Sequence, residues 1–174
     1  GHDQLIRALP EIRKRVPDVL YSIVGDGPEN INLRRLVEEL GVDDLVDFRG
    51  EVDDDEILAC YQQCTLFALP NRTVDGDFEG FGMVLLEAQS CGKPVLTGTS
   101  GGTGEAMVAG ESGLRVDCGQ YEAIVDASIR LLGNSERLHR FGDFGRRRTV
   151  DGFSWKSLAD QSMATFQESL LSPA

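Results

Sequence analysis

The sequence predicts an α/β domain built on an open, doubly wound sheet of parallel strands. Three observations lead there. Short apolar runs alternate with segments of helical periodicity, the joins between them are short and carry glycine, and 174 residues with 41% apolar content suit one core rather than two.

The elements follow in chain order. Leu5, Leu9, Ile12 and Val16 recur at helical spacing, and Pro17 stops that helix before the buried-strand run 19–24. Gly25-Asp26-Gly27-Pro28 then forces a turn. Leu33, Leu36, Val37 and Leu40 mark a second helix closed by Gly41, and a short strand follows over 45–49. Asp53, Asp54, Asp55 and Glu56 open a third helix, where acids complement the positive end of the helix dipole. Beyond it, 65–69 reads as a strand, 82–91 as a helix, 94–97 as a strand and 114–116 as another. Helices over 120–132, 135–148 and 155–171 finish the chain.

In open parallel sheets ligands bind outside the carboxyl ends of the strands. Four loops leave those ends here, over 25–28, 50–52, 70–81 and 98–102, so the glycines gather on one edge. The formal charge of −12 argues against a general nucleic-acid binder, because phosphates need a basic surface. An anionic ligand must therefore be held by local donors. Residues 51–90 hold nine acids against one base, Arg72, and the basic run Arg146-Arg147-Arg148 is read as a solvated helix end.

Cys60, Cys64, Cys91 and Cys118 show no zinc-type spacing and no disulfide framework, which fits a reducing, cytoplasmic setting. No stretch reaches the roughly 18 apolar residues of a membrane span; peripheral membrane contact stays open. His2 and His139 have no partner residues in sequence that suggest a catalytic triad, and each reads as a surface or helix-packing residue. Ser100 and Ser112 lack a neighbouring base.

The stretch EGFGMVLLEAQSCGKPV, residues 79–95, holds the most chemistry. Glu87 follows Met83 by four positions and Val84 by three, so on a helix it shares an apolar face, and a charged group there needs hydrogen bonds. A backbone group, an arginine or the two hydroxyls of a ribose would each serve. Glu79 precedes Gly80-Phe81-Gly82, whose glycines let backbone approach a ligand, and the helix that follows offers unpaired amides to a diphosphate. A nucleotide sugar satisfies all three features; an exposed loop acid beside a structurally satisfied helix acid satisfies them too.

Glu79-Gly80-Phe81-Gly82 to Glu87-Ala88, continuing into Gly92-Lys93-Pro94-Val95 and Gly101-Gly102-Thr103-Gly104-Glu105, closely resembles the donor-binding signature of family 4 retaining glycosyltransferases, with its E-x7-E motif. The likeness extends to Tyr21-Ser22-Ile23-Val24-Gly25-Asp26-Gly27-Pro28, Val46-Asp47-Phe48-Arg49-Gly50 and Phe153-Ser154-Trp155. It implies the C-terminal, Rossmann-like half of a GT-B fold, spanning 1–174 as one nucleotide-sugar-binding domain, with 155–171 as a helix crossing back towards an N-terminal domain. It also implies roles. Glu79 would lie beside the transferred hexose as the catalytic-site acid, and Glu87 would bind the ribose. Backbone at Gly80, Phe81, Gly82, Met83 and Val84 would hold sugar and phosphate oxygens, Phe48, Arg49 and Glu51 would flank the base, and Gly25 and Gly27 would line the donor cleft. Arg72 and Glu105 are further candidates for that cleft. No metal and no cofactor are expected beyond the nucleotide diphosphate sugar as substrate.

The same resemblance implies that something precedes Gly1: an acceptor-binding domain, the first central strand of the sheet, and an arginine and a lysine that clasp the diphosphate. A sheet without that strand would leave a groove between 19–24 and 65–69. The last helix, with Trp155, Leu158, Ser162, Phe166 and Leu170 on one side, would expose apolar surface. Two other functions stand as alternatives: a GT-B sugar-nucleotide epimerase or phosphorylase relative, against which the EGFG-to-Glu87 context argues, and a non-catalytic nucleotide-sugar-binding module.

Overall fold

A computed structural model describes residues 1–171, with side chains to residue 167. Among these, helices and strands alternate as α1 (His2–Arg13), β1 (Tyr21–Val24), α2 (Asn30–Leu40), β2 (Val46–Gly50), α3 (Asp54–Gln63), β3 (Phe67–Leu69) and α4 (Met83–Ser90). They continue as β4 (Val95–Gly98), α5 (Thr103–Ala106), β5 (Gly113–Val116), α6 (Tyr121–Leu132), α7 (Ser135–Gly152) and α8 (Trp155–Leu171). Asp53 caps α3 by accepting the Glu56 amide at 2.9 Å, with three acids in the first turn behind it. α1 ends at Arg13 rather than running through Val16, because the residues before Pro17 turn off against the Ile12 carbonyl.

Every strand pair is parallel. β1 pairs with β2, with Tyr21 opposite Val46 and Ile23 opposite Phe48; β3 pairs with β4 and β4 with β5, with Val95 lying between Phe67 and Gly113. No ladder joins β1 to β3, so the sheet falls into a two-stranded and a three-stranded part. Between them runs the expected groove, a cavity of about 1030 Å³. Its sides are Val19–Ser22 and Thr65–Ala68; Leu5, Leu9 and Ile12 of α1 line it, as do Ile57 and Tyr61 of α3 and Val84 and Glu87 of α4.

What joins the two parts is α1. Its Leu5, Ala8 and Ile12 pack with Leu96 of β4 and with Ile124, Ala127 and Leu131 of α6. Ile6 and Leu9 pack instead with Ile23 of β1, Leu33, Leu36 and Val37 of α2, and Leu45. The helix thus presents two apolar faces to two different half-cores, a wide arc that its sequence permits because apolar residues occupy positions 5, 6, 8, 9 and 12. A third cluster lies under α4, where Leu85, Leu86 and Ala88 meet Val95, Ala106 and Met107.

α7 runs past 148 to Gly152, so the arginine run is not the solvated helix end expected of it. Arg146 donates to the Ser90 carbonyl, while Arg148 donates to the carbonyls of Glu105 (2.7 Å) and Ala106 (3.1 Å) and covers the Phe153 ring. The run clamps α7 to α4 and α5. α8 carries Trp155, Met163 and Phe166 outwards, as its one-sided pattern implied; the Leu170 side chain lies outside the described residues.

Because Ile6 is fully buried where α1 meets the β1–β2 half, Ile6→Ala should destabilise the fold by about 2–5 kcal/mol in urea titrations followed by circular dichroism. Ile31→Ala, at a site 74% exposed, should stay within about 0.5 kcal/mol of the wild type.

Candidate functional site

The loops that leave the carboxyl ends of β3 and β4 rest on one another. Asn71, two residues past β3, accepts the Thr97 hydroxyl and the Gly98 amide, both at 2.9 Å, and donates to the Ser100 carbonyl at 2.7 Å. Arg115 of β5 donates to the Gly98 and Thr99 carbonyls, and the Thr103 hydroxyl closes the turn onto Gly98. On this base lies the Glu79 backbone, whose carbonyl accepts the Gly102 amide at 3.0 Å. The approach leaves no room for side chains: a β-carbon on Gly101 would stand 2.0 Å from the Glu79 carbonyl oxygen, and one on Gly102 2.0 Å from that of Gly80.

From this platform the chain enters α4 through Gly82, whose φ of +84° is a conformation that favours glycine. The first-turn amides of Met83 and Val84 have no carbonyl one turn earlier within the helix, and they mark the positive end of its dipole. The Glu79 carboxylate turns back onto this end, its Oε1 accepting the Gly82 amide at 3.1 Å. The Phe81 ring points the other way, into the cluster beneath α4 and against Phe153 at 6.2 Å between centroids, so only its backbone is left to meet a ligand.

Glu87 lies about 7.5 Å along α4 from Gly82 at the usual helical rise. The expectation that it sits on a buried face is overturned. Leu85, Leu86, Ala88 and Gln89 form the buried face, whereas Met83 is 55% exposed and Glu87 is itself exposed, on the wall of the large cavity. Water therefore relieves its charge, and the Tyr61 hydroxyl donates to its Oε2 at 2.7 Å. The buried polar residue of α4 is Gln89, missed in the sequence, whose amide donates to the Leu85 and Ala106 carbonyls. Tyr61, the sole aromatic of α3, was missed too; its reach to Glu87 depends on how α3 sits against α4, which residue spacing does not show.

The remaining candidates come from the β1–β2 half. Gly25, Arg49 and Glu51 line the same large cavity as Val84 and Glu87. Gly25 also lines a smaller cavity of about 180 Å³ with Gly27, Phe48 and His2. Arg34 covers the Phe48 ring at 4.3 Å, and Arg49 is tied to Asp47 at 3.0 Å and to the Cys60 sulfur. Glu79, Gly80, Phe81, Gly82 and Met83 line neither cavity; they make up the end of the loop after β3 and the first residue of α4. His2 bonds the Tyr21 hydroxyl at 2.6 Å, and His139 bonds the Ser135 carbonyl. Glu105 sits exposed in the first turn of α5, outside both cavities.

Arg72 does not offer its guanidinium to the cleft. Both of its forks bind Asp3 at the start of α1, at 2.7 and 3.0 Å, and so pin the long loop after β3 to the bridging helix. Burial raises the Asp3 pKa, but the Arg72 hydrogen bonds and charge outweigh it and hold the carboxyl below its usual range. Among the described residues no cluster of three or more His, Cys, Asp or Glu side chains converges as a metal site, and no helix is long and apolar enough to cross a membrane.

A parallel α/β sheet with helices on both faces and its candidate side chains at one carboxyl edge is a Rossmann-like domain, here of the GT-B kind. The chain belongs to the glycosyl transferases group 1, whose family model matches residues 1–148. It is 41% identical over 159 residues to a GDP-mannose-dependent alpha-(1-6)-phosphatidylinositol monomannoside mannosyltransferase of Mycolicibacterium smegmatis, covering 90% of this chain and 42% of that protein. A D-inositol 3-phosphate glycosyltransferase of Corynebacterium glutamicum is 33% identical over 176 residues, with 98% and 41% covered. The chain thus spans about two fifths of the length of these relatives.

Among solved structures, an Anabaena protein in complex with UDP superposes with a TM-score of 0.83 at 24% identity, over 97% of this chain and 45% of that one. The C-terminal domain of a glycosyl transferase group 1 family protein from Francisella tularensis superposes with a TM-score of 0.75 at 21% identity, covering 89% of this chain and 80% of that one. Both show the fold.

Two outcomes test this geometry. Gly102→Ala should shift the backbone amide resonances of residues 79–84 while leaving those of β4 and β5 in place, at a stability cost of about 1–3 kcal/mol. The Asp3 pKa is depressed on folding, so its contribution is present above the unfolded value of about 3.9 and lost as pH falls through the folded value. The stability gap between wild type and Asp3→Asn should accordingly be widest above about pH 5 and shrink in more acid solution, in denaturation series run across pH.

Proposed function

We propose that this chain is the donor-binding domain of a retaining hexosyltransferase, with GDP-mannose as the donor. The reading is carried by one observation: Glu79 and Glu87 flank the amino-terminal half of α4 at the carboxyl edge of the sheet, with unpaired helix amides between them. The GDP-mannose-dependent mannosyltransferases to which the chain is similar supply the base and the sugar of the proposal.

The physical roles follow from position. Diphosphate oxygens take the amides at the start of α4 and its positive dipole end, where the Glu79 carboxylate now accepts the Gly82 amide. Displaced from that amide, Glu79 turns towards the hexose, orienting it or stabilising positive charge that develops at its anomeric carbon. Glu87 accepts the ribose diol, and the cavity walls at Gly25, Phe48, Arg49 and Glu51 flank the guanine. The amides perform at the leaving phosphate the electrostatic work that a metal performs elsewhere. The acceptor site and further cations for the diphosphate belong, in this reading, to a part of the whole protein outside these residues, so this chain alone binds donor weakly and does not turn over.

Protein-observed NMR titrations with GDP-mannose, GDP and UDP test the proposal. GDP-mannose should perturb residues 79–87 first, and Glu87→Gln should weaken GDP binding by roughly ten- to a hundredfold, the size of a lost charge-assisted hydrogen bond. Perturbation confined to residues remote from α4, or indifference of binding to Glu87, would overturn it.

A further inference from the structure

We infer that Tyr61 is a positioning residue for ribose recognition: its hydroxyl holds the Glu87 carboxylate in one orientation and leaves the other oxygen open to the diol. This rests on the donor-binding reading above and adds to it a residue from a different element, α3. Among the described residues, the Glu87 side chain takes one hydrogen bond, from Tyr61 at 2.7 Å, and it stands at an exposed position on the cavity wall.

A glutamate free in water has three rotatable bonds to order when a ligand arrives, and ordering them costs affinity. Tyr61 removes part of that cost in advance. Its ring is half-buried, leans on Phe67 of β3 at 5.5 Å between centroids and belongs to the cluster packed beneath α4, so the core sets where the hydroxyl stands. The hydroxyl is a donor throughout the physiological range, since burial and then the adjacent carboxylate push its titration further up.

The acceptor count also closes. An ionised carboxylate has about four lone-pair sites, and Tyr61 uses one on Oε2. Oε1 stays free and Oε2 keeps one site, which suffices for two adjacent hydroxyls. Because Glu87 is exposed, removal of the phenol oxygen leaves a carboxylate that water can solvate rather than a buried unpaired charge. Tyr61→Phe therefore keeps the ring packing and the fold.

The experiment titrates GDP and 2′,3′-dideoxy-GDP into wild type, Tyr61→Phe, Glu87→Gln and the double variant, with thermal melts as the check on folding. Tyr61→Phe should weaken GDP by roughly three- to tenfold, the scale of one immobilised side chain, and leave dideoxy-GDP within about twofold. In the Glu87→Gln background the same change should add nothing. Equal weakening of both nucleotides would mark a merely structural role and overturn the inference, as would GDP binding that responds to Glu87→Gln but not to Tyr61→Phe. Indifference to Glu87→Gln itself would instead overturn the ribose assignment on which the inference stands.

Discussion

The packing of α1 against two half-cores holds this molecule together. A parallel sheet ordinarily coheres through an unbroken ladder of backbone hydrogen bonds, and here the ladder stops between β1 and β3. Side chains do what the backbone does not: Ile6 and Leu9 reach one half, while Leu5, Ala8 and Ile12 reach the other. The same helix is tied to the loop after β3 through Asp3 and Arg72. Since Gly25, Arg49 and Glu51 stand on one half and Val84 and Glu87 on the other, the seating of α1 sets the spacing between the two walls of the candidate cleft.

At the start of α4 the constraints pass to the backbone. Gly101 and Gly102 let the β4 loop press against the Glu79 segment, and Gly82 supplies the positive φ through which the chain turns into α4. The result is a helix start whose amides are presented at a defined place, guarded by a carboxylate that also belongs to the site. An anionic ligand therefore meets oriented dipoles in a chain of net charge −12, which reconciles strong overall acidity with the proposed binding of a diphosphate.

Much of this was legible in the residues. Glycine and proline punctuate the chain where the backbone must turn, and apolar periodicity distinguishes helix from strand between those points, so element order and the parallel topology could be read directly. The EGFG-to-Glu87 motif was legible because its chemistry is local: two acids and a helix start within a few turns. Arg72 and the 146–148 run were not. A long cation can reach several partners, and which one it takes depends on elements far away in sequence, Asp3 for Arg72 and the Ser90, Glu105 and Ala106 carbonyls for the arginines of α7.

By itself, then, the sequence determined the local conformations, the parallel α/β class and the acids that flank α4, because each depends on steric and polar rules acting within a few residues. Tertiary structure alone decided which face of α4 is buried, that Tyr61 reaches Glu87, and that α1 bridges two separate strand groups. Those outcomes depend on the relative placement of elements far apart along the chain, and periodicity shows that a face is apolar without showing what will cover it.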